Sequence, residues 1–368
     1  MKFLRLAFYV LIAQLVLSGC AGEGVEETSS SSSEINFDAY LGTNASTRVR
    51  ETNLASLKET SGFGVFARHK HADGSISDMM DNEHVTWKGD RWEYTNIQYW
   101  PDKDSVYFYA FAPRVDGVKL VNAPGENKAN PTYIEFNSCY YPVDLVWAVE
   151  KREVPKSPTS ASKVNFQFKH ALARLAFDIT ANQQLEENGA VIKVKEVKLY
   201  GASEDEGALD VKGYLNLADE RDNVFCGWSV VKEKSTRVIY TWTPPDTEGG
   251  GDLKLTASLL DHTCTKIESD SNSYLCVIPQ QKGKKDNDND EKWDDDPFYL
   301  QITYTVQRGT SQQTVKVKKN LLDVSHPFRF EKRKTYLLHL KLSLGSTRSR
   351  SSSSEDCSVT MSVSSIPE

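Results

Sequence analysis

Along most of the chain, short runs of β-branched and aromatic residues alternate with turn formers about every ten positions, and segments of helical period are nearly missing. That rhythm belongs to antiparallel sheets packed face to face rather than to βαβ units, so the pattern predicts an all-β sandwich architecture. Val85-Thr86-Trp87, a turn over Lys88-Gly89-Asp90-Arg91, and Trp92-Glu93-Tyr94 predict a hairpin with aromatic pairs across its strands. The run VYFYAFA over 106–112 predicts a buried strand closed by Pro113. Alternating apolar and polar positions predict further strands over 35–41, 191–200, 253–260, 298–306, 314–318 and 336–344, with a last one over 359–363. Short helical turns are expected at 170–174 and 319–323.

The first 19 residues depart from this rhythm. Lys2 and Arg5 precede an apolar run over 6–17 that only Gln14 interrupts, too short for a bilayer span of about 20 residues. This is the order of a secretory signal. It ends at Leu17-Ser18-Gly19-Cys20, which resembles the bacterial lipobox. The resemblance implies cleavage before Cys20 and acylation of Cys20 as the first mature residue, with several acyl chains for stable anchoring. An ordinary signal followed by a chance cysteine is the alternative. Residues 20–34 carry Glu23, Glu26, Glu27 and five serines from Ser29 to Ser33, a stretch with nothing to bury and so a flexible tether. Acid close behind the cysteine is similar to the surface-export signal of Bacteroidetes lipoproteins; a plain linker is the other reading.

Length and charge narrow the picture. Without the signal, 349 of the 368 residues remain, which fits two domains of about 150 residues each. The clearest break is KREVPKSPTSASK over 151–163, rich in proline and serine and poor in large apolar groups. The expected organisation is a lipoprotein signal over 1–19, the tether over 20–34, an N-terminal sandwich over 35–155, a C-terminal sandwich over 160–344, and a Ser-rich tail with a terminal strand over 345–368. A hydrophobic content of 39% and a charged content of 26% exclude wholesale disorder. The formal charge of −7 becomes −9 once Lys2 and Arg5 leave, so no broad electrostatic footprint for nucleic acid exists.

A set of markers in fixed order then comes into view: Phe63-Gly64-Val65-Phe66-Ala67, Tyr99-Trp100-Pro101 followed by 106–113, Asp144-Leu145-Val146-Trp147-Ala148, and Val164-Asn165-Phe166-Gln167-Phe168-Lys169-His170-Ala171-Leu172-Ala173-Arg174-Leu175. Together they resemble the fimbrillins of Bacteroidales, including the Mfa-like fimbrillin-family lipoproteins, over about residues 35–344. The resemblance implies two tandem transthyretin-like β-sandwich domains on a surface-exposed lipoprotein of the outer membrane that serves pilus assembly or cell adhesion. It implies no cofactor and no enzymatic activity. The implied partners are the outer membrane, other fimbrial subunits, and a host or bacterial surface receptor. In stalk members an Arg-specific protease removes the first strand and a neighbour's strand fills the groove. A sandwich lacking one strand exposes unpaired backbone and an apolar slot, which an extended segment completes. The segment over 35–41 has the alternation such a strand needs, and Arg48 and Arg50 stand where the family is cut. A solvated loop is the other reading of these arginines. Anchor-type relatives keep their lipid, so stalk, anchor and tip roles all stay open.

Enzyme chemistry leaves little trace. Gly-x-Ser-x-Gly, His-Glu-x-x-His, P-loop and Cys-x-x-Cys motifs are missing from the sequence. Gly62-Phe63-Gly64-Val65-Phe66-Ala67 has the glycine spacing of a dinucleotide loop, but strand-like residues follow it, so it reads as the start of a strand. His69 and His71 would share a strand face near His84; with no acid or thiolate at matching spacing they read as exposed strand histidines and no metal is assigned. The loop over 286–296 holds seven acids against Lys292, which suits calcium. It is not an EF-hand, because Glu291 and Pro297 stand where Gly and Glu belong, and a solvated charge run is the plainer reading. Trp87, Trp92, Tyr99 and Trp100 offer a rival function, a platform that stacks on polysaccharide; exposed rings would favour it and buried rings would not. Finally, a hairpin centred on Asp270 would set Cys264 opposite Cys276 at a disulfide's spacing, two separate buried thiols being the alternative.

Overall fold

The computed structural model describes residues 33–41, 52–139, 143–156, 162–181, 191–219, 227–243, 254–259, 263–269, 275–282, 297–325, 327–344 and 357–367. Its first eight strands are β1 (Phe37–Leu41), β2 (Phe63–Lys70), β3 (Ile76–Trp87), β4 (Trp92–Glu93), β5 (Ser105–Ala112), β6 (Tyr133–Asn137), β7 (Val146–Glu153) and β8 (Val164–His170). Seven of them form one sheet in the order β1-β8-β7-β5-β2-β3-β4, with β1 and β8 parallel. The sequence logic is plainest in β5. Val106, Phe108 and Ala110 point into one core with Phe63, Val65 and Phe166, while Tyr109 and Phe111 point through the other face into a second core with Phe66 and Trp147. A strand covered on both faces has no use for polar alternation, hence VYFYAFA. The expected hairpin forms as β3 and β4, with Trp87 opposite Trp92 and the indoles 5.3 Å apart in a T-shape.

The second half adds β9 (Ala173–Ala181), β10 (Val191–Tyr200), β11 (Leu209–Asp210), β12 (Lys212–Asn216), β13 (Trp228–Val230), β14 (Arg237–Thr243), β15 (Lys254–Leu259), β16 (Thr263–Ser269), β17 (Leu275–Val277), β18 (Gln280–Lys282), β19 (Tyr299–Arg308), β20 (Ser311–Asn320), β21 (Phe328–Phe330), β22 (Lys334–Leu344) and β23 (Cys357–Pro367). The sheet β16-β15-β14-β10-β19-β20 packs against the sheet β17-β9-β22-β23. Val197, Leu199, Tyr240, Ile302 and Tyr304 from the first meet Leu175, Leu338, Leu340 and Leu342 from the second in a common core. The fold is therefore all-β and sandwich-like, as the periodicity predicts.

The seam between the halves differs from expectation. The stretch over 151–163 reads as an interdomain linker, yet β7 and β8 on either side of it are antiparallel neighbours in the N-terminal sheet, with Val146 opposite His170 and Trp147 opposite Lys169. The change of sheet comes after His170. There the expected helical turn over 170–174 gives way to a direct passage from β8 into β9. Its backbone groups bond over long range instead of locally: the Ala171 amide to Leu145, the Ala171 carbonyl from Trp228 Nε1, and the Leu172 carbonyl from the Arg333 amide. The two halves are also joined by β6, which leaves the N-terminal half to pair with β12 in the sheet β13-β12-β6. That sheet covers the outer face of β5 through Ile134, Phe136 and Leu215.

Candidate functional site

Strand β1 is the element whose placement carries function. It closes one edge of the N-terminal sheet and alternates strictly, with Phe37, Ala39 and Leu41 buried and Asp38 and Tyr40 outward. Phe37 meets four rings: Phe63, Tyr94, Phe108 and Phe166, at centroid distances of 5.4 to 6.4 Å. Residues just before β1 are fastened too. Ile35 is fully buried, its amide donates to the Gln98 carbonyl (2.8 Å), and its carbonyl accepts from Tyr94 Oη (2.8 Å). Burial raises the Tyr94 phenol to about 12. Transfer of Ile35, Phe37 and Leu41 from water contributes roughly 5–9 kcal/mol at ordinary burial values. If this segment left, the slot lined by Phe63, Phe108 and Phe166 and the β8 edge would both be open.

The chain after β1 is pinned where it re-enters. Thr52 donates its amide to Asp144 Oδ2 (3.3 Å) and its hydroxyl to the Asp144 carbonyl (2.5 Å), while the same carboxylate meets His170 Nδ1 at 2.8 Å in a buried pair. Asn53 and Ser56 then form a capping box that opens a short helix, Leu54–Ser56. Hence the stretch between Leu41 and Thr52 is bounded by two docked ends. Arg48 and Arg50 fall within it and lie outside the described residues, as do Cys20 and the acidic loop over 286–296. Asp144 and Thr52 were not legible as a pair; only the structure brings positions 92 apart together.

Near the end of the chain β23 lies antiparallel along β22 over eleven residue pairs and forms that sheet's edge. His339 on β22 clamps it: Nδ1 meets Asp178 Oδ2 on β9 at 2.7 Å and Nε2 meets Ser364 Oγ on β23 at 2.9 Å. Acid, imidazole and hydroxyl stand in the order of a hydrolytic triad. The His339 and Asp178 side chains are 41% and 40% exposed, and the arrangement ties three strands together.

A fimbrillin-like family profile matches residues 47–360, most of the chain. The chain belongs to the fimbrillin-like family. The chain is also 30% identical over 187 residues to the fimbrium subunit Fim1C of Phocaeicola vulgatus, an alignment that takes in 45% of this chain and spans 49% of that subunit's length. Among solved structures it is similar to a fimbrial protein from Bacteroides vulgatus, with 20% identity and a TM-score of 0.48, covering 89% of this chain and 98% of that one.

The remaining expectations sort as follows in the fimbrillin. Trp92 and Trp100 are core residues at 4% and 2% exposure, Trp87 packs on Trp92 beneath Lys58, and of the four rings Tyr99 alone is exposed. The polysaccharide platform is therefore not formed. The hairpin behind the Cys264–Cys276 bridge is not formed either. Cys264 stands opposite Ala257 in one sheet, while Cys276 stands opposite Arg174 in another and keeps its thiol. The chain between them connects two sheets, and the turn formers around Asp270 disguise that crossing as a hairpin. Cys139, buried at the seam, is disulfide-bonded. Gly62 and Gly64 open β2, and no helix follows them. His69 and His71 share one end of β2 as expected, but Asp104 joins them, an acid that spacing along the chain did not reveal. Among the described residues no helix is long and apolar enough to cross a membrane.

Proposed function

We propose that this chain is a surface subunit of a fimbrium, held at the outer membrane through a lipid on Cys20 until cleavage after Arg48 or Arg50 releases it from that anchor and lets it accept a strand from another subunit. The observation that carries the reading is β1: an edge strand with a wholly buried apolar face, parallel to β8, followed by a stretch that holds Arg48 and Arg50 and ends at the docked Thr52. Cleavage after either arginine separates residues 33–41 from the body without disturbing the Thr52–Asp144 anchor. A neighbour then completes the vacated groove. The terminal segment Cys357–Pro367 suits that task, because Val359, Met361 and Val363 repeat at every second position as Phe37, Ala39 and Leu41 do.

The experiment treats the folded chain with an Arg-specific protease and follows assembly by size-exclusion chromatography and electron microscopy. Wild type is expected to lose β1 and form filaments, and the double variant R48K/R50K to remain monomeric. Filaments from cleaved chain that lacks 357–368 would remove β23 from the donor role, and cleaved chain that retained β1 and stayed monomeric would end the exchange reading. Membrane attachment is read separately on uncut chain, since Cys20→Ala should move it from the membrane fraction to the soluble one.

A further inference from the structure

Strand β2 ends in Arg68-His69-Lys70, His71 follows directly, and the turn over Ala72 to Ser75 leads into β3. Residues two apart on a strand share a face, and the His69 and His71 rings stand 4.1 Å apart between centroids, tilted by 49°. The β2–β5 register sets His69 opposite Val106 and Lys70 opposite Ser105, so Asp104, just before β5, falls beside His71. Asp104 takes a left-handed backbone, φ 76°, and its carboxylate is 3.9 Å from His69 Nε2. One ligand atom from each of the three residues lies within 4.8 Å of the others, and all three side chains are half-buried.

We infer that His69, His71 and Asp104 form a binding site for a borderline divalent transition ion of the Zn²⁺ type. Two imidazoles and one carboxylate are a donor set that zinc, nickel and copper accept and that calcium and magnesium, which require oxygen, do not. A tetrahedral ion with bonds of about 2.0–2.1 Å holds its ligand atoms about 3.4 Å apart. Small side-chain rotations close that difference, and the β2–β5 pairing beside them fixes the backbones from which they rotate. His69 Nε2 is 3.0 Å from the Lys103 carbonyl and His71 Nε2 is 3.0 Å from Ser77 Oγ. Where Nε2 of each ring keeps its oxygen partner, that partner orients the imidazole and Nδ1 is the nitrogen left for the ion. His84 is not part of the group, because it stands opposite Gly64, five positions back along β2. Three protein ligands leave a coordination position open to solvent or to a side chain of another molecule.

The test uses the full mature chain. Isothermal titration with Zn²⁺ should give one site, and Co²⁺ should give the intense visible absorption of a four-coordinate nitrogen- and oxygen-ligated ion. His71→Ala should weaken binding by about 100-fold or more, as loss of a direct ligand exceeds the 10–100-fold cost of a supporting one. Asp104→Asn should do likewise, and it keeps the fold because asparagine tolerates the left-handed backbone; circular dichroism checks both variants. Co²⁺ that shows only its aqueous spectrum in millimolar solution with wild type would overturn the assignment. So would unchanged affinity in both variants, which would place the bound ion elsewhere, for example on the acidic loop over 286–296.

Discussion

Gly62 shows how much a single position can decide. Its φ is +57°, and a Cβ there would lie 2.0 Å from the Val85 carbonyl oxygen. Gly62→Ala should therefore destabilise the chain by at least about 2 kcal/mol, because both the backbone conformation and a neighbouring strand oppose it; urea unfolding measures this. The glycine spacing that mimics a phosphate loop is thus a packing requirement of β2 against β3. Tyr94 acts at the same scale. Burial raises its phenol from the ordinary 10.0 to about 12, so the folded chain holds a proton that the unfolded chain releases from about pH 10. Its contribution is complete below pH 10 and is lost as pH climbs to about 12. Tyr240 and Tyr336 shift upward through burial as well, so the expected result is a difference: Tyr94→Phe should flatten, not abolish, the alkaline fall in stability measured by denaturant titration at each pH.

Among elements, β1 and β5 were legible for opposite reasons. β5 is covered on both faces and reads as an unbroken apolar run; β1 is covered on one and alternates. What period cannot convey is the neighbour across the ladder. The prolines and serines between β7 and β8 look like a domain boundary, while the register shows two adjacent strands of one sheet. Asp104 escaped notice for the same reason, since its place beside His71 follows from the β2–β5 pairing alone. For β1 the consequence is measurable. Phe37→Ala should cost about 3–5 kcal/mol in the intact chain, by thermal or urea unfolding. In a chain whose residues before Thr52 have been cut away, the same substitution can have no effect, so a persistent difference between cut forms would mean that the strand had not left.

At the scale of the whole molecule, the halves are joined by apolar faces around β6, and the C-terminal half carries charge placed deep within it. Asp210 on β11 bonds Arg237 of β14 (3.0 Å) and Lys282 of β18 (3.3 Å), all three side chains at most 7% exposed. Asp210→Ala removes the carboxylate from two buried ion pairs and should cost about 3–5 kcal/mol by urea unfolding; a loss under about 1 kcal/mol would mean that these two pairs contribute little. None of this network was visible in sequence, where an acid in a turn-rich stretch looks like any other.

The placement of β1 and β23 in different sheets also bears on symmetry. If the groove of one copy receives the terminal strand of another, two unlike patches meet, and no two-fold axis relates them. Such a heterologous contact repeats in one direction and builds an open polar filament rather than a closed dimer. Every copy in it must have given up its first strand except one. A copy that keeps residues 33–41 in place can lend its last strand but cannot accept a neighbour's, so it can occupy only an end. Uncut chain is then a stoichiometric terminator, and average filament length should fall as the ratio of uncut to cut chains rises.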